Sequence, residues 1–307
     1  MNIGKSPLNL EKITTEQRNE LSAHIDESST LEIVKLINDE DKKVALSVEK
    51  ILPDIAKAAD IIVSHLKIGG RLIYCGAGTS GRLGVLDAAE CMPTFGVSPD
   101  LVRGIIAGGR EAMFVAQEGA EDDPTLGEND MRAVTLTESD IVCGIAASGR
   151  TPYVLGALRY AKSIGCTVVA VTCAEHSPIE QIADIPLVAV TGAEVLTGST
   201  RMKAGTATKM ILNMLSTASM IRLGKAYGNL MVDLIATNEK LKKRAIRIVS
   251  LATGCNEKES IAALKKSNGN VKVAILSKLT GKDKKEAMAL LEKSDGHLKR
   301  AINLGNL

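Results

Sequence analysis

Tryptophan is absent from the 307 residues, phenylalanine occurs only at Phe95 and Phe114, and tyrosine only four times. So few rings leave no set of stacking platforms for single-stranded nucleic acid, and no nucleic-acid partner is expected. Apolar packing has to come from Ile, Leu, Val, Ala and Met, a composition suited to helices covering a buried parallel sheet. No run approaches the roughly 18 consecutive apolar residues of a membrane span, and the first thirty residues hold no apolar leader core. No membrane partner is expected, and the location expected is cytoplasmic. The six cysteines (Cys75, Cys91, Cys143, Cys166, Cys173, Cys255) include no C-x-x-C pair, and the four histidines fall at no metal-ligand spacing. Free buried thiols in a reducing compartment follow, with no metal and no cofactor expected.

Charge is nearly balanced overall, at a formal +2, but unevenly spread. Glu239 to Leu307 holds 16 Lys and Arg against 7 Asp and Glu, a net of +9, which leaves 22 against 29, or −7, for the rest. The C-terminal part therefore reads as a separate module, whose lysines fall at surface positions of short amphipathic helices. Three regions are expected: an arm and short helix over 1–38, an α/β domain over 39–236 and a helical bundle over 237–307.

Within these, Ser29 and Glu32 have the spacing of a capping box ahead of a short helix, and a long helix follows from Glu40 to Leu66, with a possible kink at Pro53. Strands and helices then alternate: strands at Arg71–Cys75, Leu101–Ala107, Ile141–Ala146, Thr167–Cys173 and Ile185–Val190, with helices between them and a long one from about Met202 to Leu223. This is the rhythm of a doubly wound parallel sheet flanked by helices. After Thr237 the strand signal vanishes, and five short helices separated by Gly254, Gly269, Gly281 and Gly296 close the chain.

Two strand-to-helix turns carry the chemistry. Gly76-Ala77-Gly78-Thr79-Ser80-Gly81 and Ala147-Ser148-Gly149-Arg150-Thr151 each combine glycines with hydroxyls ahead of a helix. Free amides at a helix start and hydroxyl donors are what a phosphate cradle needs. Gly76-x-Gly78-x-x-Gly81 also fits a dinucleotide fingerprint, but the next strand ends Ile106-Ala107-Gly108-Gly109 with no carboxylate for the ribose, which speaks against a nicotinamide cofactor. Two hydroxyl-bearing loops favour one compact phosphate, so the candidate contacts are Gly78, Thr79, Ser80, Ser148, Gly149 and Thr151. A third segment, Glu194 to Thr206, adds Glu194, Arg201 and Lys203 as charges that could grip a sugar or its phosphate. Among carboxylates, Glu90 ends a small and apolar helical stretch, where desolvation could raise its pKa, and Glu121 sits in an acidic cluster whose repulsion could do the same. Read from the residues alone, an ordinary helix-end carboxylate and a solvated acidic loop account for both better than a catalytic role does.

The strings LIYCGAGTSGRLGVLDAAEC, VCGIAASGRTPYV and EVLTGSTRMKAGTATKMILNMLSTASMIRLGKAYGNLMVD closely resemble the N-acetylmuramic acid 6-phosphate etherases of the sugar isomerase (SIS) superfamily, from Ile37 through the C-terminal helices. The resemblance implies a carbon–oxygen lyase of cell-wall sugar recycling that yields N-acetylglucosamine 6-phosphate and D-lactate. It further implies Glu90 and Glu121 as the catalytic pair, with Glu90 as acid and Glu121 as base, and phosphate contacts at the hydroxyls and amides of the two loops. The segment around Thr253-Gly254-Cys255-Asn256 resembles a ubiquitin-associated-like helical module. Two other classes stay open beside the lyase: a non-catalytic sugar-phosphate sensor and an aldose–ketose isomerase. If Ser80 opens a straight helix, Glu90 lies about 15 Å along it at 1.5 Å per residue, too far for a hexose 6-phosphate to span. Either that helix ends early and folds back, or a homodimer completes the site.

Overall fold

The computed structural model describes residues 13–236 and 238–306; of the N-terminal arm, which the sequence suggests is loosely ordered up to about Ile25, residues 1–12 lie outside them. The described part of that arm is ordered. Ile13, Thr15, Asn19 and Ser22 are buried, Thr14–Glu16 and Glu20–Ser22 form single 3-10 turns, and the Asn19 amide donates to the Ala193 carbonyl at 3.3 Å.

The first helix, α1 (Thr30–Glu49), opens on the capping box read from the sequence: Ser29 accepts from the Glu32 amide, and Glu32 accepts from the Ser29 amide at 2.8 Å. It runs through residue 38, where a boundary was expected, and the break falls at Lys50–Ile51. Pro53 does not kink a long helix but stands in the first turn of α2 (Leu52–Lys67), where its missing N–H leaves no acceptor unsatisfied.

Five strands follow, β1 (Leu72–Gly76), β2 (Val102–Ile106), β3 (Ile141–Ile145), β4 (Thr167–Thr172) and β5 (Ile185–Val188). Between them lie α3 (Gly78–Phe95), α4 (Glu118–Glu121), α5 (Pro124–Ala133), α6 (Pro152–Ile164) and α7 (Pro178–Ile182). All strands are parallel, in the order β2-β1-β3-β4-β5, with Leu72 opposite both Val102 and Ile141. The central strands are buried on both faces, as helices on either side require: Ile73, Val142, Val168 and Ala170 pack with Tyr153, Val154, Ala157 and Leu158 of α6, and Leu72, Tyr74, Ile141 and Val169 are buried on the other face. The doubly wound reading stands.

Asp140 ties the starts of β1 and β3. It is 1% exposed and accepts from the Arg71 amide (2.9 Å), the Arg71 guanidinium (2.9 and 2.7 Å) and the Thr137 amide (2.9 Å). Burial pushes its carboxyl pKa up, but the hydrogen bonds from Arg71 and Thr137 and the Arg71 charge outweigh that and hold it below the usual carboxylate range. The six thiols are free; all but Cys255 are buried, and burial raises Cys75 and Cys173 to about 12 and Cys166 to about 11.

The long helix α8 (Lys203–Arg222) is followed by a hairpin missed in the sequence, β6 (Ala226–Tyr227) and β7 (Leu230–Met231), then by α9 (Glu239–Thr253), α10 (Glu257–Lys266), α11 (Val271–Thr280), α12 (Lys284–Lys293) and α13 (Leu298–Gly305). The chain forms two compact units. One takes residues up to Ala88 and Asp100–Leu215; the other takes Ala89–Pro99 and Ser216 onward. In the second unit, α10–α11 and α12–α13 repeat one pattern at an offset of 27 residues, from Gly254 to Gly281 and from Gly269 to Gly296. Asn256 with Glu259 and Asp283 with Glu286 form matching capping boxes, and Asn268 and Asp295 share a left-handed backbone (φ 52° and 51°).

Because the folded pKa of Asp140 is lowered, its contribution to stability is complete above the unfolded carboxylate pKa and lost as pH falls through the folded value. Asp140→Asn is therefore expected to cost roughly 3 kcal/mol near neutral pH and to lose less on acidification below about pH 4 than the wild type does. Denaturant melts at pH 7 and pH 3.5 measure both.

Candidate active site

In the order β2-β1-β3-β4-β5 the chain direction across the sheet reverses between β1 and β3. Loops leaving the carboxyl ends of those neighbouring strands diverge to open a crevice, the usual ligand position of such sheets. Both phosphate loops identified from the sequence leave from there.

After β1 the backbone turns at Gly78, where φ is +51°, and α3 begins. Gly81 has no room for a side chain, since a Cβ would lie 2.5 Å from the Gly76 carbonyl oxygen. The turn is tight enough to aim the first amides of α3, which have no intrahelical acceptor, along the strand axis. After β3, Gly149 takes φ +66°, and a Cβ there would meet the Ser177 side chain at 2.3 Å. The Arg150 guanidinium bends back to the Ser148 carbonyl at 2.8 Å. Thr151 stands at the N-cap of α6 but makes no capping bond; its hydroxyl instead donates to a Glu121 carboxylate oxygen at 3.0 Å. Pro152 follows in the first turn.

These elements enclose a cavity of about 190 Å³. Its lining includes Gly78, Thr79 and Ser80 from the first loop, Ser148 and Thr151 from the second, Glu121 from α4, and Thr200, Gly205 and Thr208 at the start of α8. Among the described residues its walls are amides, hydroxyls and two carboxylates, with no Lys or Arg in the lining. Two helix N-termini, each equivalent to about half a positive charge, supply the field for an anion.

Most of the candidates converge here: Gly78, Thr79, Ser80, Ser148, Thr151 and Glu121 line one cavity, and Gly149 shapes its second loop. Glu194 and Lys203 do not line it. Glu194 is fully buried and caps α8, accepting from the Lys203 amide at 3.0 Å and the Ala204 amide at 2.9 Å. The Lys203 ammonium donates to Glu40 of α1 at 2.6 Å, and Lys43 also donates to Glu40. Burial raises the Glu40 pKa, but the hydrogen bonds and charges of both lysines outweigh it and leave the carboxyl below its ordinary value. Arg201 is exposed. Glu90 is exposed on α3, not enclosed among apolar groups, and is not among the lining residues. The helix that carries it is unbroken from Gly78 to Phe95, so it does not end early.

Three lining residues with polar side chains, Thr200, Thr208 and Glu16, lay outside the predicted contacts. Thr200 and Thr208 fall in or just beyond the hydroxyl-rich third segment, which was a usable signal. Glu16, from the 3-10 turn Thr14–Glu16, had none.

Sequence comparison matches residues 54–162 to a model described as the glucokinase regulatory protein N-terminal SIS domain, and residues 125–218 to the SIS domain. An N-acetylmuramic acid 6-phosphate etherase of Clostridium beijerinckii is 61% identical over 268 residues, covering 87% of this chain and 88% of that protein. The chain belongs to the N-acetylmuramic acid 6-phosphate etherase family. A second relative, N-acetylmuramic acid 6-phosphate etherase 2 of Vibrio cholerae, is 58% identical over 266 residues, covering 87% of each chain. Among solved structures, a phosphoheptose isomerase from Francisella tularensis superposes with a TM-score of 0.52 at 20% identity, covering 63% of this chain and all of that one, a likeness of fold. In this etherase family member, Glu40, Lys203 and Glu194 brace the cavity from behind.

Lys203→Met leaves Glu40 buried without its principal partner and is expected to destabilise the fold by about 3–5 kcal/mol. The double variant Glu40→Leu with Lys203→Met recovers most of that loss. Thermal melts of the two variants test this, and a selective loss of phosphate affinity at unchanged stability would contradict it.

Proposed function

We propose that the chain cleaves the D-lactyl ether of N-acetylmuramic acid 6-phosphate, as a carbon–oxygen lyase, giving N-acetylglucosamine 6-phosphate and D-lactate. The observation that carries the reading is the Glu121 carboxylate held by Thr151 at the rim of an anion cavity. The 6-phosphate rests against the amides and hydroxyls of Gly78, Thr79, Ser80 and Ser148 and the amide of Thr151, whose hydroxyl is given to Glu121. That anchor turns the reaction at C2 and C3 into an intramolecular encounter with a positioned carboxylate.

With the sugar ring open, the C1 aldehyde acidifies the C2 proton, and Glu121 takes it as general base. The C3–O bond then breaks, its electron pair leaves on the lactate oxygen, and Glu90 protonates that oxygen. A C2–C3 double bond conjugated to the aldehyde remains. Water adds at C3, giving its proton to Glu90, and Glu121 returns a proton to C2. Both carboxylates are restored, and one water is consumed per lactate released.

Glu90 lies ten residues along an unbroken helix from Ser80, about 15 Å at 1.5 Å per residue. It therefore serves the cavity of a second copy, and the working unit is a homodimer with shared sites. The setting is the cytoplasm, which suits six free thiols.

Incubation with N-acetylmuramic acid 6-phosphate in heavy-oxygen water is expected to release D-lactate and place the label at C3 of the product. Glu121→Gln and Glu90→Gln should each lower kcat by about a hundredfold or more. Tight binding without lactate release would instead assign the protein to a sensor class. Mixing the two inactive variants offers a separate test of sharing. Half the dimers are then heterodimers with one intact site of two, so about a quarter of wild-type activity returns; if each chain supplies both carboxylates to its own site, mixing restores none.

A further inference from the structure

Glu16 reaches the cavity from a segment remote in sequence from every other lining residue. It is held there rather than dangling. Ile13 and Thr15 beside it are 4% and 1% exposed, the Asn19 side chain bonds Ala193, and Gly198 lies so near that a Cβ on it would sit 3.5 Å from a Glu16 carboxylate oxygen. Among the described residues the Glu16 carboxylate forms no hydrogen bond or ion pair. The carboxylates buried deepest in the same unit are all engaged: Glu40 by two lysines, Glu194 by two amides, Asp140 by Arg71. A half-buried acceptor fixed at a cavity wall without a donor is an incomplete hydrogen-bonding site.

The cavity is also polarised. Its lining sets the amides, hydroxyls and two helix N-termini beside two carboxylates, Glu16 and Glu121, which offer negative charge and acceptors. A bound phosphate dianion is repelled by the carboxylates and drawn to the amides, so the end of the ligand that meets Glu16 must be uncharged and must donate. A sugar hydroxyl or the N–H of an acylated amino group meets both conditions.

We propose that Glu16 is a substrate-binding residue, accepting a hydrogen bond from a hydroxyl or the acetamido N–H of the sugar and so distinguishing a sugar phosphate from phosphate alone. This rests on the sugar-phosphate reading above. It gives the ordered N-terminal segment a role in recognition, because the acceptor arrives only when residues 13–22 are folded against the α/β unit.

Calorimetric titrations of the full chain with N-acetylglucosamine 6-phosphate and, separately, inorganic phosphate test it on wild type, Glu16→Ala and Glu16→Gln. A hydrogen bond to a charged acceptor implies about a ten- to hundredfold weaker sugar-phosphate affinity in Glu16→Ala. Glu16→Gln, which keeps a neutral acceptor, falls between. Affinity for inorganic phosphate does not fall, and the thermal midpoint stays unchanged. Equal sugar-phosphate affinity in wild type and Glu16→Ala overturns the proposal, as does a parallel loss for both ligands, which marks a structural role. Wild type that binds N-acetylglucosamine 6-phosphate but releases no lactate from N-acetylmuramic acid 6-phosphate refutes the etherase chemistry alone, and the titrations still decide Glu16.

Discussion

An anion needs no cationic side chain if enough unsatisfied backbone donors converge on it, and among the described residues the proposed phosphate site of the α/β unit has that arrangement. Neighbouring β1 and β3 send their helices to opposite sides, so the starts of α3 and α6 open into one crevice. Gly81 and Gly149, each packed where a Cβ would clash, keep both turns tight enough for the amides to face inward. The arrangement fixes charge by dipole and hydrogen bond, and it leaves the ligand's other end free for carboxylates that a nearby lysine would neutralise. A carboxylate that is to take a proton from carbon must not be neutralised by a cation beside it.

The third helix N-terminus near the cavity behaves differently. Glu194 fills the start of α8 with its own carboxylate, so α8 contributes hydroxyls and close backbone at Thr200, Gly205 and Thr208 rather than free amides. Behind it the buried Lys203–Glu40 pair joins α8 to α1. Such a pair adds little net stability over well-packed apolar groups, but it penalises any displacement that separates the charges, and so fixes the depth of the cavity wall. The ordered segment before α1 adds Glu16 to the same cavity, so elements distant in sequence set its shape.

Much of this was legible in the sequence. Strand runs rich in Val and Ile, glycines at the strand ends and hydroxyls beside them signalled the sheet and both loops, because each is a local requirement of backbone geometry. What stayed hidden was long-range. Glu194 and Lys203 looked like ligand contacts because their type and neighbourhood fit; their partners, the α8 amides and Glu40, are fixed only by the fold. Glu16 gave no signal, since a carboxylate in a short 3-10 turn has no periodicity to betray it. Pro53 misled through its usual meaning as a kink, when it sits at a helix start. The 27-residue repeat of α10–α11 in α12–α13 became plain only when matching caps and left-handed turns aligned its halves.

The central claim is that the phosphate is bound by amides and hydroxyls at the β1–β3 crevice. The most direct measurement is a crystal structure with N-acetylglucosamine 6-phosphate bound. The account predicts the phosphate within hydrogen-bond distance of the Gly78–Ser80 amides, the Ser148 side chain and the Thr151 amide, with Lys203 still on Glu40 and Glu121 facing C2. A phosphate paired with Arg201 or Lys203, away from those amides, would contradict it.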